Sequence, residues 1–196
     1  MKKALIIFQK NQELGKVKTR LASTVGDENA LKIYTVLVEH SHILADKIEA
    51  KKYLFFSNFI ENDEKWSKYE RKVQKGDDLG LRMFNAISEV KKEGADQIVV
   101  MGTDCYELTE NIINEAFGKL ENNDYCIGPA VDGGYYLIGT KSPDSEVFLG
   151  KEWSTETVFR EAEQSVQNIG KRLAVLEALS DVDYEDDLKT LREYLV

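Results

Sequence analysis

Three stretches of the chain pair charged side chains with the setting that phosphate chemistry needs. Residues 15–21 read Gly-Lys-Val-Lys-Thr-Arg-Leu. Gly15 lets the backbone come close to a ligand. Lys16 and Lys18 are compact point charges, and Arg20 offers a planar fork for two phosphate oxygens. The spacing is not that of a P-loop, because Gly-x-x-x-x-Gly-Lys-Ser/Thr is absent. Asp104 follows the apolar run Gln97–Met101 almost at once, through Gly102 and Thr103. A carboxylate at a strand end points into the crevice, where magnesium (or manganese) can use it together with substrate phosphates. The alternative is an Asx turn or a helix cap, and Thr109 is better placed to cap. Residues 177–187 hold six acids and no base. Unpaired carboxylates repel one another, so a cation relieves such a cluster. Asp186 and Asp187 suit the first turn of a helix, which leaves Asp183, nearest the strand end, as the candidate metal ligand.

Other residues allow two readings each. Asp132-Gly133-Gly134 is turn chemistry, and equally a place where backbone N–H groups and a carboxylate face a hydroxylated ligand. Gly76-Asp77-Asp78-Leu79-Gly80 precedes a helix and either caps it or presents backbone to a nucleobase edge. Arg82, one turn further, reaches an anion or pairs with these acids. His40 and His42 lie two apart on a helix, do not share a face, and read as surface or rim residues. Cys105 has no His partner and is not expected to be a nucleophile. Trp153 reads as core.

The elements must bring these residues together. Ala4–Phe8, Tyr53–Phe56 and Gln97–Met101 are continuous apolar runs of strand length, as expected of strands buried on both faces. Residues 9–20 read as a loop. Asp27 is expected to cap a long helix carrying Ala30, Ile33, Tyr34, Leu37, Leu44 and Ile48. A second helix spans Leu79–Lys92 on Leu79, Met83, Ala86, Ile87 and Val90, and a third follows Thr109. Val73 lies in a short strand, Tyr125–Ile127 and Tyr135–Ile138 flank a turn, and Leu173–Leu176 is the last strand. Ser154 or Thr155 is expected to cap a helix, and Tyr184–Leu195 to form a closing one. Strands alternating with helices predict a single domain over 1–196, an α/β sandwich with a largely parallel sheet. In such sheets ligands bind at the carboxyl ends of the strands.

Charge narrows the function further. The formal net charge is −9 and the pI near 4.9, which argues against a protein that coats nucleic acid. Residues 1–26 carry six bases and one acid, a local basic segment on an acidic chain. No apolar run reaches transmembrane length, and the N-terminus reads as a strand and not as a signal peptide. Two cysteines, Cys105 and Cys126, form no disulfide framework and suit reduced thiols in the cytoplasm.

In this order, the blocks GKVKTRL, GDDLGLRM, GTDCYELT, GPAVDGGYYLIG, WST and DVDYEDDL resemble a bacterial family of glycosyltransferases of the GT-A fold, within the nucleotide-diphospho-sugar transferase superfamily. The likeness runs from Leu5 to Leu191. The first loop is also similar to that of phospholactate guanylyltransferases, and the last block to the DVDTPEDL block of CMP-sugar synthetases and molybdopterin nucleotidyltransferases. The resemblance implies a three-layer α/β/α sandwich with a mixed, mostly parallel sheet. It implies that Lys18 and Arg20 hold phosphates, that Asp104 and Asp183 bind Mg²⁺, that residues from Gly76 to Gly80 lie near the base, and that Asp132, Gly133 and Gly134 face the sugar or acceptor. The first loop lacks the prolines usual in the family, Tyr106 stands where proline commonly follows GTDC, and Tyr184-Glu185 replaces Thr-Pro. The expected activity is Mg²⁺-dependent transfer of a nucleotidyl group from an NTP to a small phosphorylated or anionic acceptor. Glycosyl transfer from an NDP-sugar, with Asp132 as the one evident base, is the close alternative, and a nucleotide-binding module without turnover a third reading.

Overall fold

A computed structural model describes residues 1–153 and 155–195. Its centre is a seven-stranded sheet: β1 (Lys3–Gln9), β2 (Lys51–Phe56), β3 (Glu70–Val73), β4 (Gln97–Met101), β5 (Tyr125–Pro129), β6 (Tyr135–Thr140) and β7 (Leu173–Val175). The order is β3-β2-β1-β4-β6-β5-β7. β6 runs antiparallel to β4 and β5, and the other pairings are parallel.

Successive side chains of a strand point to opposite faces, so the apolar runs feed two cores. Leu5, Ile7, Leu54, Phe56, Val99 and Met101 meet one layer of helices, α2 (Asp27–Lys47) and α4 (Glu110–Asn122). Ala4, Ile6, Tyr53, Phe55, Ile98 and Val100 meet the other, α3 (Leu79–Lys92) and α6 (Val158–Asn168). The result is the expected three-layer α/β/α arrangement.

The elements depart from the sequence reading in five places. A short helix, α1 (Thr19–Val25), begins inside the segment expected to be loop. Gly26, at φ 83°, is the N-cap of α2, and Asp27 is its first residue. The helix α6 starts at Val158 after Thr157, whose side chain makes no cap bond, so Thr155 does not cap it, and Ser154 lies outside the described residues. The closing segment Glu185–Tyr194 is 3₁₀ and broken at Lys189, φ 43°, instead of one α-helix. A four-residue helix, α5 (Ser145–Phe148), was not foreseen. Asp78 and Thr109 do cap α3 and α4, accepting from Leu81 N at 2.8 Å and Ile112 N at 3.4 Å.

A third cluster matters for the site. Leu21 on α1, Ile33 and Leu37 on α2, and Val182, Leu188 and Leu191 near the C-terminus pack together out of water. It fastens the segment after β7 to the segment after β1.

Candidate functional site

The chain reverses its path across the sheet at β1: β2 and β3 lie on one side and β4 on the other. Loops leaving the carboxyl ends of β1 and β4 therefore diverge and leave a crevice. A cleft of about 1150 Å³ opens there. Lys18, Arg20, Asp77, Asp104, Asp132, Gly134 and Asp183 all line it.

Among the described residues, Lys18 is the most enclosed of the cleft's charged groups, at the meeting of the first loop with Asp104 and Asp183. The first loop ends with this residue in the left-handed region, φ 48° and ψ 44°, a conformation that costs a non-glycine residue roughly 1–2 kcal/mol. Its carbonyl accepts from Ala22 N at 2.8 Å and so starts α1. Its side chain is only 4% exposed, and Nζ lies 2.5 Å from Asp104 Oδ1 and 3.1 Å from Asp183 Oδ1. Burial works against the ammonium, but the two carboxylates outweigh it and hold its pKa above the ordinary lysine value. Burial likewise opposes the charge on Asp104, and Lys18 overcomes it and keeps that carboxyl below its usual range. Arg20 Nη1 meets Asp183 Oδ2 at 3.1 Å, with its guanidinium 5.9 Å from the Tyr184 ring. The two aspartates, 79 residues apart in sequence, thus share one cation.

The structure adds residues that the sequence did not single out. Asp181 sits in the same cleft with Oδ1 buried and without a hydrogen-bond partner among the described residues. Burial first, and then the charge of Asp104, pushes its pKa up to about 7. The signal for it was present: Val182 turns into the third apolar cluster, so Asp181 and Asp183, two apart, lie to either side of a buried residue. Tyr34 reads as core and is 1% exposed. Its hydroxyl also accepts from Lys10 N at 2.9 Å and lies 3.2 Å from Thr103 Oγ1, tying the first loop to the Asp104 loop.

Several expected contacts lie elsewhere. Gly15 and Lys16 are outside the cleft, and Lys16 pairs with Glu13 at 2.7 Å on the surface. Gly76 and Gly80 do not line it either. A Cβ on Gly80 would come within 2.0 Å of Phe148 O and 2.7 Å of the Trp153 ring, so that glycine serves packing. Gly133, φ 92°, also lies outside the cleft lining, and a Cβ there would meet Glu156 O at 2.1 Å. Asp132 Oδ1 accepts from Gly134 N at 2.9 Å, as a turn residue does, while its side chain belongs to the cleft. Trp153 packs against the α3 core and lines the cleft as well. Leu79, expected in the core stripe, is 44% exposed and faces the cleft. His42 is not at the rim: it is 6% exposed, and its ring lies 4.1 Å from that of Trp66. Burial pushes the Cys105 thiol up to about 12, so it carries no thiolate at neutral pH.

The donor set suits a hard divalent cation. Asp104 and Asp183 offer only oxygen, and the buried Asp181 Oδ1 lacks a partner. No group of three or more His, Cys, Asp or Glu that could hold a metal by itself occurs among the described residues. Asp104 and Asp183 are the kind of pair magnesium can use, since it takes one or two carboxylates and completes its shell with water and phosphate.

A mixed seven-stranded sheet between two helical layers, with this cleft at the strand ends, is the nucleotide-diphospho-sugar transferase fold. The chain belongs to a bacterial family, described as an uncharacterized protein conserved in bacteria (DUF2064), which residues 41–155 match. It is 30% identical to a candidate nucleotide-diphospho-sugar transferase from Desulfovibrio desulfuricans, with a TM-score of 0.89, over 97% of this chain and 87% of that one. It shares the fold of a 4-diphosphocytidyl-2C-methyl-D-erythritol synthase from Anaerococcus prevotii: 11% identity, TM-score 0.60, 99% and 96% covered. It shares it also with the inositol-1-phosphate CTP transferase of T. maritima: 14% identity, TM-score 0.56, 100% and 95% covered. No curated protein matches the sequence. Among the described residues, no helix is long and apolar enough to cross a membrane.

Proposed function

We propose that this protein is a magnesium-dependent transferase that moves a nucleotidyl group from an NTP to a small phosphorylated or anionic acceptor. The observation that carries the reading is the junction of Lys18 with Asp104 and Asp183, flanked by Arg20, at the strand ends. In the reaction an acceptor oxygen bonds to the α-phosphorus, the bond from that phosphorus to the bridging oxygen breaks, and pyrophosphate leaves. Charge accumulates on phosphoryl oxygens, so catalysis depends on positioning and electrostatics. Lys18 and Arg20 supply fixed positive charge against the triphosphate. Asp104 and Asp183 would hold Mg²⁺, which supplies charge neutralisation worth several kcal/mol in such a transition state. Tyr34 holds the Lys10 and Asp104 loops at a fixed separation. Asp132, Gly134 and Trp153, which line the same cleft, would face the acceptor. The likeness to the Desulfovibrio protein supports a second reading, glycosyl transfer from an NDP-sugar.

The experiment incubates the protein with each NTP, Mg²⁺ and a panel of phosphorylated and carboxylated acceptors and follows pyrophosphate. A parallel series with NDP-sugars follows NDP release. Pyrophosphate is the expected product, and Asp104→Asn is expected to lower its rate at least about a hundredfold. NDP release instead would replace nucleotidyl by glycosyl transfer, and ligand binding without either product would leave a binding module.

A further inference from the structure

At the end of the cleft bounded by β1, β2 and β3, the uncommitted polar groups form a pattern. Gln74 follows β3. Its Nε2 donates to Phe55 O at 3.0 Å and lies 3.5 Å from Gln9 O. Because both neighbours are carbonyl oxygens, the amide can take only one orientation. Oε1 receives no donor among the described residues, and Gln74 lines the cleft. It is a fixed acceptor.

The next two acids divide their work. Asp78 is used up as the cap of α3 through Leu81 N. Asp77, exposed and lining the same cleft, has no hydrogen bond or ion pair among the described residues. Its carboxylate is a second acceptor, and a forked one. Arg82 is pinned to the same loop by its Nε, which donates to Gly76 O at 2.9 Å. Its terminal nitrogens form no ion pair among the described residues, and it too lines the cleft. Phe8, Leu79 and Met83 supply apolar surface beside these groups. The exposure of Leu79, on a helix position that periodicity assigns to the core, is what a flat ring would cover.

The bases differ in what they present to such a set. Guanine offers an acceptor, O6, followed by two adjacent donors, N1–H and the N2 amino group. Cytosine offers one donor and two acceptors, uracil an acceptor, a donor and an acceptor, and adenine one donor beside one acceptor. A cation with two acceptors complements guanine and leaves an acceptor unmatched against each of the others. Such a mismatch is expensive, because a desolvated polar group without its partner loses its hydration for nothing.

We propose that Gln74, Asp77 and Arg82 select a guanine nucleotide, with Arg82 facing O6, the Asp77 carboxylate taking N1–H and one N2 hydrogen, and Gln74 Oε1 taking the other N2 hydrogen. The inference rests on the nucleotide reading above and narrows its substrate.

The test is equilibrium binding of the full chain, by calorimetry with Mg²⁺, to GTP, ATP, CTP, UTP, ITP and XTP. GTP is expected to bind at least about tenfold more tightly than ATP, CTP, UTP or ITP, the last of which lacks the N2 amino group. Asp77→Asn is expected to lose at least about tenfold towards GTP and to gain towards XTP, whose C2 carbonyl accepts from the new amide. A gain of affinity excludes misfolding as the cause. The proposal is overturned if ATP, CTP or UTP binds as tightly as GTP, or if Asp77→Asn leaves the GTP-to-XTP ratio unchanged. Selective GTP binding with no pyrophosphate release would sustain the guanine site and sink the transfer reading. Release of pyrophosphate from all four NTPs with equal affinity would do the reverse, and no binding by any nucleotide would end both.

Discussion

Lys18 stands where three charges meet, and its removal separates two roles. The ammonium keeps Asp104 and Asp183 from repelling each other, and in the proposed reaction it would offer charge to a phosphate. A methionine fills a similar volume without the charge. Lys18→Met is therefore expected to cost about 2 kcal/mol of stability, less than for a fully buried pair because Asp104 and Asp183 stay 41% and 31% exposed. A divalent cation bound by the carboxylates would replace the lost charge. Thermal melts with Mg²⁺ and with EDTA measure this: Mg²⁺ should raise the variant's Tm by more than that of the wild type. Equal responses would show that the carboxylates do not take the ion. The asymmetry of Arg20 follows from the same geometry. Its side chain is half exposed and leans on Tyr184, so Arg20→Ala should leave stability almost unchanged and weaken nucleoside triphosphates far more than nucleosides in a binding titration.

Among the elements, the segment after β7 carries Asp181 and Asp183 and continues into the broken 3₁₀ stretch Glu185–Tyr194. What holds it is the small cluster around Leu21, Leu188 and Leu191. Leu188 is fully buried, and Leu188→Ala is expected to cost about 2–4 kcal/mol in urea unfolding. If the cluster positions Asp183, affinity for Mg²⁺-nucleotide should fall in the same variant, although no ligand contact is touched; unchanged affinity would reduce the cluster to stability alone. This cluster also explains what could be read from the sequence. The runs 97–101 and 79–92 were legible because burial on both faces, or on one helical stripe, is written locally in the order of apolar residues. α1 was not, because seven residues are too few for a period, and Leu21 has its reason only in Ile33, Val182 and Leu188. The types of Lys18, Asp104 and Asp183 were legible as chemistry. Their convergence depends on α1, and so does the failure of Gly15 and Lys16 to join them. His42 was misplaced for a similar reason: its neighbours Trp66 and Tyr69 come from the segment before β3. Burial holds its pKa near 3, against the favourable charge of Asp46, with Lys65 and Lys68 also opposing protonation. The unfolded chain therefore takes up the proton first. Stability is expected to fall as pH drops from about 6.5 towards 3, by up to roughly 1.4 kcal/mol per unit. Urea titrations of wild type and His42→Phe over that range check it: the variant should lose the part of the slope above pH 5, where few carboxylates titrate.

The whole molecule is acidic, at −9, and its cleft shares that character. Eight carboxylates line it against four cations, Lys10, Lys18, Arg20 and Arg82. A triphosphate brought alone meets more negative than positive charge, and at short range the unmatched carboxylates resist it. A divalent cation held by Asp104 and Asp183, as proposed, would change the balance for both partners, since it would neutralise those carboxylates and the phosphates together. Nucleotide and Mg²⁺ should then bind in concert, each raising the affinity for the other by the same factor. The cleft also joins loops from both sides of β1, so a ligand that fills it stabilises both halves of the sheet against unfolding. At a hundred times Kd the gain is about 2.7 kcal/mol, or about 5–10 °C in Tm for a chain of this size. Differential scanning fluorimetry with NTP alone, Mg²⁺ alone and both together measures it. The shift with both should exceed the sum of the two separate shifts, and Asp104→Asn should abolish the excess. An equal shift with NTP in EDTA would mean that the cationic residues suffice and that the two aspartates hold no ion.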